Sequence, residues 1–352
     1  MNSPHPSVKG RGAAANPGNR FERIELERDP DWNPEEDPLP ATQFLRDSTR
    51  TIITYNDSPD VGFNASINVY RGCEHGCIYC FARPTHEYLG FSAGLDFESR
   101  IMVKERAPEL LRAELSAKKW KPQVLAMSAV TDCYQPAERK FQLTRRCLEV
   151  LAEFRNPVCI ITKNFLVTRD IDLLASLAES HAAAVFVSVT TLDPALTPKL
   201  EPRAALPAHR LAAIEKLTQA GIPAGVLIAP VIPGLTDHEM PAIINAAVNA
   251  GARCAGFVPL RLPYGVASLF EDWLTRHFPE RKDKVLNRIR AIRGGKLNDP
   301  NFGSRMQGKG VFAQQIGKMF EVACRKAGIE GHRPKLSIES FRIPPGRQLS
   351  LF

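Results

Sequence analysis

Three cysteines, Cys73, Cys77 and Cys80, stand in the order Cys-x-x-x-Cys-x-x-Cys directly after a short apolar run. Three thiolates on one tight loop can hold three irons of a cubane 4Fe–4S cluster and leave the fourth iron without a protein ligand. A cluster used only for electron transfer takes a fourth cysteine, so an open iron points to a substrate or cofactor bound there. Two other readings stay open: a zinc knuckle that adds His75 or His86, and three reduced thiols with no metal. Zinc sites favour paired Cys-x-x-Cys units separated by a longer arm. Cys147, Cys159, Cys254 and Cys324 fall inside helix or strand patterns and read as core. Eight cysteines in 352 residues, three of them clustered, suit a reducing cytoplasm better than a disulfide scaffold.

A loop of this kind needs elements that position it. From Ser66 onward, β-rich runs alternate with amphipathic stretches. The candidate strands are Ser66–Tyr70, Gln123–Ala129, Pro157–Lys163, Ala184–Val189, Pro223–Ala229 and Cys254–Val258. Between them lie helical patterns such as Glu138–Phe154 and Leu206–Ala220, where Leu211, Ile214 and Leu217 recur at helical spacing. Six βα units imply a parallel sheet. Parallel barrels carry their chemistry on loops after the strand C-termini, and the cysteine loop follows the first strand. Hydrophobic content of 44% is enough for a real core. No segment reaches the apolar length of a membrane span, and Met1 to Gly12 lacks the apolar stretch of a secretory signal. A cytoplasmic protein with no membrane partner is expected. Residues 1–55, rich in Pro, Gly, Asn and charge, read as a largely flexible arm on which Phe21, Ile24 and Leu26 could dock. Neither a Walker loop nor a Rossmann glycine fingerprint occurs.

The segment Arg71-Gly72-Cys73-Glu74-His75-Gly76-Cys77-Ile78-Tyr79-Cys80 resembles the signature of the radical S-adenosylmethionine (SAM) superfamily, where an aromatic residue precedes the third cysteine. Further runs look like the spore photoproduct lyase-like branch over roughly residues 60 to 260: Ser128 to Pro136, Ile161-Thr162-Lys163, Ser188-Val189-Thr190, Glu201-Pro202-Arg203 and Leu227 to Gly234. The resemblance implies an α/β fold, a partial (β/α)6 parallel barrel over 56–266, and the helical, basic pattern after Ala267 adds a basic α-helical C-terminal extension over 267–343. It implies a lyase-like enzyme that uses a 4Fe–4S cluster and an external electron donor to cleave SAM reductively to a 5′-deoxyadenosyl radical. The implied substrate is damaged DNA. Modification of RNA or protein, and a non-catalytic DNA-associated iron–sulfur protein, stand beside that reading.

Within this frame Lys163 and Arg203 are candidate cations for the SAM carboxylate, and Ser188 and Thr190 candidate hydroxyls for the ribose or carboxylate. Ser128, Thr131 and Asp132 are placed to meet the amine, and Tyr79 to lie against adenine. All but Tyr79 also read as loop residues that cap helices. In the lyase a cysteine and tyrosines return hydrogen to the product radical. Cys133 and Tyr134 lie near that position, a few residues out of register, and Cys133 reads equally as a small hydrophobe under the loop.

Charge is concentrated late in the chain. Residues 276–326 hold 13 Lys/Arg and 4 Asp/Glu, an excess of nine positive charges against a net +8 for the whole chain. Such a lobe suggests a polyanion, with DNA the expected partner. Arg281, Lys282, Lys284, Arg288 and Arg293 are expected to be displayed while Val285, Ile289 and Ile292 are hidden, and Lys296, Arg305 and Lys309 lie in a glycine-rich loop. Arg281, Arg288, Lys296, Arg305 and Lys309 are the candidate phosphate contacts, although a charge run is also the usual composition of a solvated face. Over 344–352 the chain ends in Gln348-Leu349-Ser350-Leu351-Phe352 behind Pro344-Pro345-Gly346. That pentapeptide resembles the tail with which bacterial replication and repair proteins bind the DNA polymerase sliding clamp, with Gln348, Leu349, Leu351 and Phe352 as its anchors.

Overall fold

In the computed structural model, which describes residues 7–22, 41–329 and 334–345, the six apolar runs form parallel strands. These are β1 (Ala65–Ile67), β2 (Leu125–Met127), β3 (Val158–Thr162), β4 (Ala183–Ser188), β5 (Ala224–Val231) and β6 (Cys254–Pro259). Each pairs with the next in chain order, and a short antiparallel strand, Ile53–Tyr55, closes the β1 edge. The result is a partial parallel barrel, as the resemblance implies. The crossover helices include α1 (Ala107–Ser116), α2 (Leu143–Phe154), α3 (Ile171–Glu179), α4 (Pro207–Gln219) and α5 (Met240–Asn249). Because helices cover one face and the barrel interior the other, a strand such as β4 is buried at every residue. Leu148, Ile160, Val185, Val226 and Ile243 are fully buried at the centre of this core. Each contributes about 1.5–3 kcal/mol by leaving water.

A second, three-stranded sheet braces the cysteine loop. Gln43–Arg46 pairs parallel with Arg100–Val103, which pairs antiparallel with Tyr70–Arg71, the two residues before Gly72 and Cys73.

The N-terminal stretch departs from the composition-based expectation of a largely flexible arm. Residues 7–22 lie along the cysteine loop as a strap. Gly12 N and Ala13 N donate to the Glu98 carboxylate at 3.0 and 2.9 Å, and Asn16 and Asp96 exchange two hydrogen bonds. The Gly-Ala-Ala-Ala run makes this possible because small residues let two backbones approach closely. A Cβ on Gly12 would fall 1.9 Å from the Gly76 carbonyl oxygen.

The C-terminal region is helical, as expected: α6 (Val266–His277), α7 (Lys282–Ile292) and α8 (Gly310–Lys326). Val285, Ile289 and Ile292 are hidden as their spacing predicts. Arg293 is a correction, since it is 2% exposed and donates to the carbonyls of Pro259, Leu260, Ser304 and Arg305. It ties the glycine-rich loop to the end of β6 instead of being displayed. Residues 334–345 return to the barrel, where Ser337 N donates to His181 O and Arg342 N to Phe154 O, both at 2.9 Å. No helix among the described residues is long and apolar enough to cross a membrane.

Replacing Gly12 with Ala should lift the strap, because the clashing atom is backbone and cannot rotate away. The expected loss is about 1–3 kcal/mol of stability, as for other overpacked sites. Faster proteolysis within residues 11–20 should accompany it. Gly18→Ala, which meets nothing within 4 Å, is the control and should match the parent.

Candidate active site

The loop that carries the three thiols is shaped from behind by Arg83, which has no solvent exposure. Its Nε donates to Cys77 O, Nη1 to Ala93 O and Gly94 O, and Nη2 to Gly76 O and the Glu98 carboxylate. All five N–H groups of the guanidinium are thereby used. On the flank, Gln135 accepts from Glu74 N at 2.9 Å and donates to Gly72 O at 3.1 Å. Cys73 N donates to Phe97 O and Ile78 N to Leu200 O, which fixes the two ends of the loop.

The thiols converge without meeting at a point. Cys73 and Cys77 are buried and Cys80 is partly exposed. Cys73 lies within electrostatic reach of both other thiols, and Cys77 within reach of Cys80. Burial pushes all three above the usual thiol range. Among the described residues no three His, Cys, Asp or Glu side chains gather around one metal ion. A cubane does not require that, because each iron takes one thiolate. Arg83 and Lys163 act on Cys80, Lys163 and Arg210 oppose the charge of Glu201 at Cys77, and Asp132 is the charged neighbour of Cys73. This donor set fits a 4Fe–4S cluster. Neither histidine of the zinc reading is turned to the thiols. His86 donates Nε2–H to Arg100 O at 2.9 Å, and His75 sits between Asn164 and Asp132 at 3.2 and 3.4 Å.

Facing Cys77 is a cluster organised by Glu201, 1% exposed. One carboxylate oxygen accepts from the Tyr79 hydroxyl and from Thr190 Oγ1 at 2.9 Å, with Lys163 Nζ at 3.3 Å. The other accepts from the buried Arg210. Burial disfavours the charge, but Arg210 and Lys163 outweigh it and hold the carboxyl well below the usual carboxylate range. Lys163 also donates to Ala229 O at 3.0 Å. The structure thus brings together Tyr79, Lys163 and Thr190 from three separate segments, with Ser188 buried two residues before Thr190. Arg203 has a different partner, Glu74 at 2.9 Å. Sequence reasoning quoted Glu201 only within the Glu201-Pro202-Arg203 run, without a role, and missed Arg210, Arg83 and Glu98.

The residues after β2 serve the loop itself. Asp132 accepts from Thr162 Oγ1 at 2.8 Å, from Tyr134 N at 2.9 Å and from Lys163 N at 2.8 Å. Thr131 Oγ1 donates to Tyr70 O, and Ser128 Oγ accepts from Cys133 N, each at 2.8 Å. Cys133 and Tyr134 are 1% and 0% exposed and belong to the main core. The Tyr134 hydroxyl donates to Asp170 at 3.1 Å. Returning hydrogen to a substrate radical requires side chains that face the substrate, and these two face the core.

Of the candidate phosphate contacts, Arg305 is held by Asp60 and Ser58, Lys309 pairs with Asp299 at 3.4 Å, and Arg288 lies 3.9 Å from the Phe312 ring centroid. Arg281 and Lys296 are exposed. Gln348, Leu349, Leu351 and Phe352 lie outside the described residues.

The sequence pattern of the radical SAM superfamily matches residues 67–247. An uncharacterized protein of Mycobacterium tuberculosis is 38% identical over 243 residues, covering 68% of this chain and 70% of that one. An uncharacterized protein of Methanocaldococcus jannaschii is 32% identical over 222 residues, covering 63% and 79%. Among solved structures, a spore photoproduct lyase complexed with dinucleoside spore photoproduct superposes with a TM-score of 0.58 at 14% identity, covering 80% of this chain and 79% of that chain. A mutant of that lyase with bound AdoMet and dinucleoside spore photoproduct gives 0.54 at 15%, covering 81% and 77%. At these identities the likeness shows a shared fold.

The buried His86 gives a pH dependence. Burial lowers its pKa from 6.5 to about 4, so the folded protein keeps the ring neutral. Between those values the unfolded chain binds the extra proton, and stability falls as pH falls, by on the order of 3 kcal/mol over the window. Above pH 6.5 the contribution is fully present. Chemical denaturation between pH 7 and 4 should show this slope, and His86→Gln should flatten it.

Proposed function

The chain belongs to the radical SAM superfamily, and on that premise we propose that it is a DNA-acting enzyme, lyase-like in chemistry, similar to spore photoproduct lyase. Members of the family use a 4Fe–4S cluster and SAM and need an electron donor. What that pair supplies when bound is one-electron cleavage of SAM to a 5′-deoxyadenosyl radical, able to take hydrogen from an unactivated carbon. Cys73, Cys77 and Cys80 would hold the cluster, and Lys163, Thr190 and Ser188 would hold SAM. The observation that carries the reading is three clustered thiols, two of them within electrostatic reach of Lys163, a cation that a buried carboxylate keeps in place.

The protein's own part is positioning and charge. Glu201 is pinned by Arg210, so it stays ionised and fixes the Lys163 ammonium, the Thr190 hydroxyl and the Tyr79 ring in one arrangement. Binding then finds its partners already oriented and loses less to ordering. The inward packing of Cys133 and Tyr134 favours a hydrogen source other than these two. A DNA substrate is supported by the dinucleoside photoproduct in the structural neighbour and by exposed cations such as Arg281 and Lys296 in the basic lobe. The terminal pentapeptide would recruit the enzyme to the sliding clamp, with modest affinity of its own, on the order of micromolar.

Anaerobic protein given SAM, a reductant and irradiated DNA should form 5′-deoxyadenosine and change the damaged bases. Cys73→Ala, Cys77→Ala and Cys80→Ala should each lose the iron and the product. Stoichiometric zinc after anaerobic reconstitution, or deoxyadenosine without any change in DNA, would contradict the enzyme and the DNA parts respectively. Separately, deleting Gln348–Phe352 should abolish clamp binding in a pull-down and leave deoxyadenosine formation unchanged. Equal clamp binding by both chains would remove the tail from the account.

A further inference from the structure

Five large aromatic side chains face solvent near the cysteine loop and the end of β6. Phe21 of the strap, Phe81 beside Cys80, Tyr88, Tyr264 after β6 and Phe302 of the glycine-rich loop are exposed by 54%, 47%, 72%, 66% and 58%. Their contacts form two groups, which Arg261 and Tyr264 bring together on one loop. Phe21 stacks on Tyr88 with centroids 4.9 Å apart. Arg20 lies 3.7 Å from the Tyr264 centroid and 5.0 Å from that of Phe21. Arg261, on the loop that leads to Tyr264, lies 5.0 Å from the Phe81 centroid and within electrostatic reach of Arg305. Arg305 in turn lies 4.5 Å from the Phe302 centroid.

This surface is held in place from beneath. Glu87, 3% exposed, holds Arg20 at 2.6 Å, and Asp60 with Ser58 holds Arg305. Tyr264 has φ near +50°, a conformation that a bulky residue keeps only when its surroundings impose it. A ring covered on one face and about half exposed still offers its other face. An ordinary apolar patch would cost solubility and would not need arginine planes set between its rings. Rings alternating with guanidinium planes suit flat aromatic partners, and Lys296, exposed in the same glycine-rich loop, can meet phosphate.

The geometry points to a stacking platform for unpaired bases: Phe21, Phe81, Tyr88, Tyr264 and Phe302 receive a single-stranded stretch of nucleic acid beside the cysteine loop. A duplex hides the faces of its bases, whereas an unpaired strand presents them. The inference rests on the reading of the substrate as nucleic acid.

Fluorescence anisotropy of the full chain with labelled oligothymidylate, oligouridylate and a duplex of equal length tests it. Single strand should bind about tenfold or more tightly than duplex. Tyr88→Ala and Tyr264→Ala should each weaken it about tenfold, with the salt dependence unchanged because no phosphate contact is lost. Tyr264→Phe should bind like the parent. Tighter binding of oligouridylate than oligothymidylate supports the platform and assigns it to RNA. Duplex binding equal to or tighter than single strand, with both Ala variants unaffected, overturns the platform and leaves the nucleic-acid reading standing. Loss of binding in Tyr264→Phe as well as Tyr264→Ala overturns stacking as the cause. No binding to any of the three overturns the nucleic-acid reading itself.

Discussion

Arg83 and Glu98 form an ion pair sealed from solvent at both ends, and the cysteine loop is folded around it. The tight spacing of the three cysteines turns the carbonyls of Gly76 and Cys77 away from solvent, where each needs a donor. Arg83 supplies both, together with donors for Ala93 and Gly94. A guanidinium without exposure is tolerable only if its charge is met, and Glu98 meets it while accepting two amides from the strap. Removing either partner would leave an uncompensated buried charge, a loss of about 3–5 kcal/mol. One pair therefore couples the loop, the segment leading to Arg100–Val103 and residues 12 and 13.

A second buried pair, Arg210 with Glu201, does for the barrel side what the first does for the outer side. Its position is set by the ends of β3 and β4, which bring Lys163 and Thr190 to one carboxylate from distant parts of the chain. The thiols thus sit between two fixed charge systems. Arg83 from the first and Lys163 from the second act on Cys80, while Lys163 and Arg210 of the second offset Glu201 at Cys77.

The strands were legible because β-branched and small apolar runs such as Val158 to Thr162 recur between helical patterns, and a parallel sheet follows from that alternation. The cysteine loop was legible from spacing. The burial of Arg83 and Arg210 was not, because both sit in stretches where an arginine ordinarily faces water, as does Arg293. Glu201 left a usable clue: Lys163 and Tyr79 both stood out at strand and loop ends, and a cation placed there requires a counter-charge. The strap was misread because Gly, Ala, Asn and Pro suit a mobile arm as well as a backbone pressed against another backbone. The Gly76 carbonyl and the Glu98 carboxylate, both more than sixty residues away, distinguish the two at Gly12. Cys133 drew attention by its place after β2, and the hydrogen bond from its amide to Ser128 belongs to a turn that carries the thiol inward.

The central claim is that three thiols of this chain hold a cluster whose remaining iron is free to bind SAM. Electron–nuclear double resonance of the reduced, anaerobic protein with SAM labelled at its amino nitrogen tests it most directly. The account predicts a coupling from the labelled nitrogen to the cluster that is replaced by that of the natural isotope when unlabelled SAM takes its place. A cluster signal with no such coupling at saturating SAM, or a protein that takes up no iron, would contradict it.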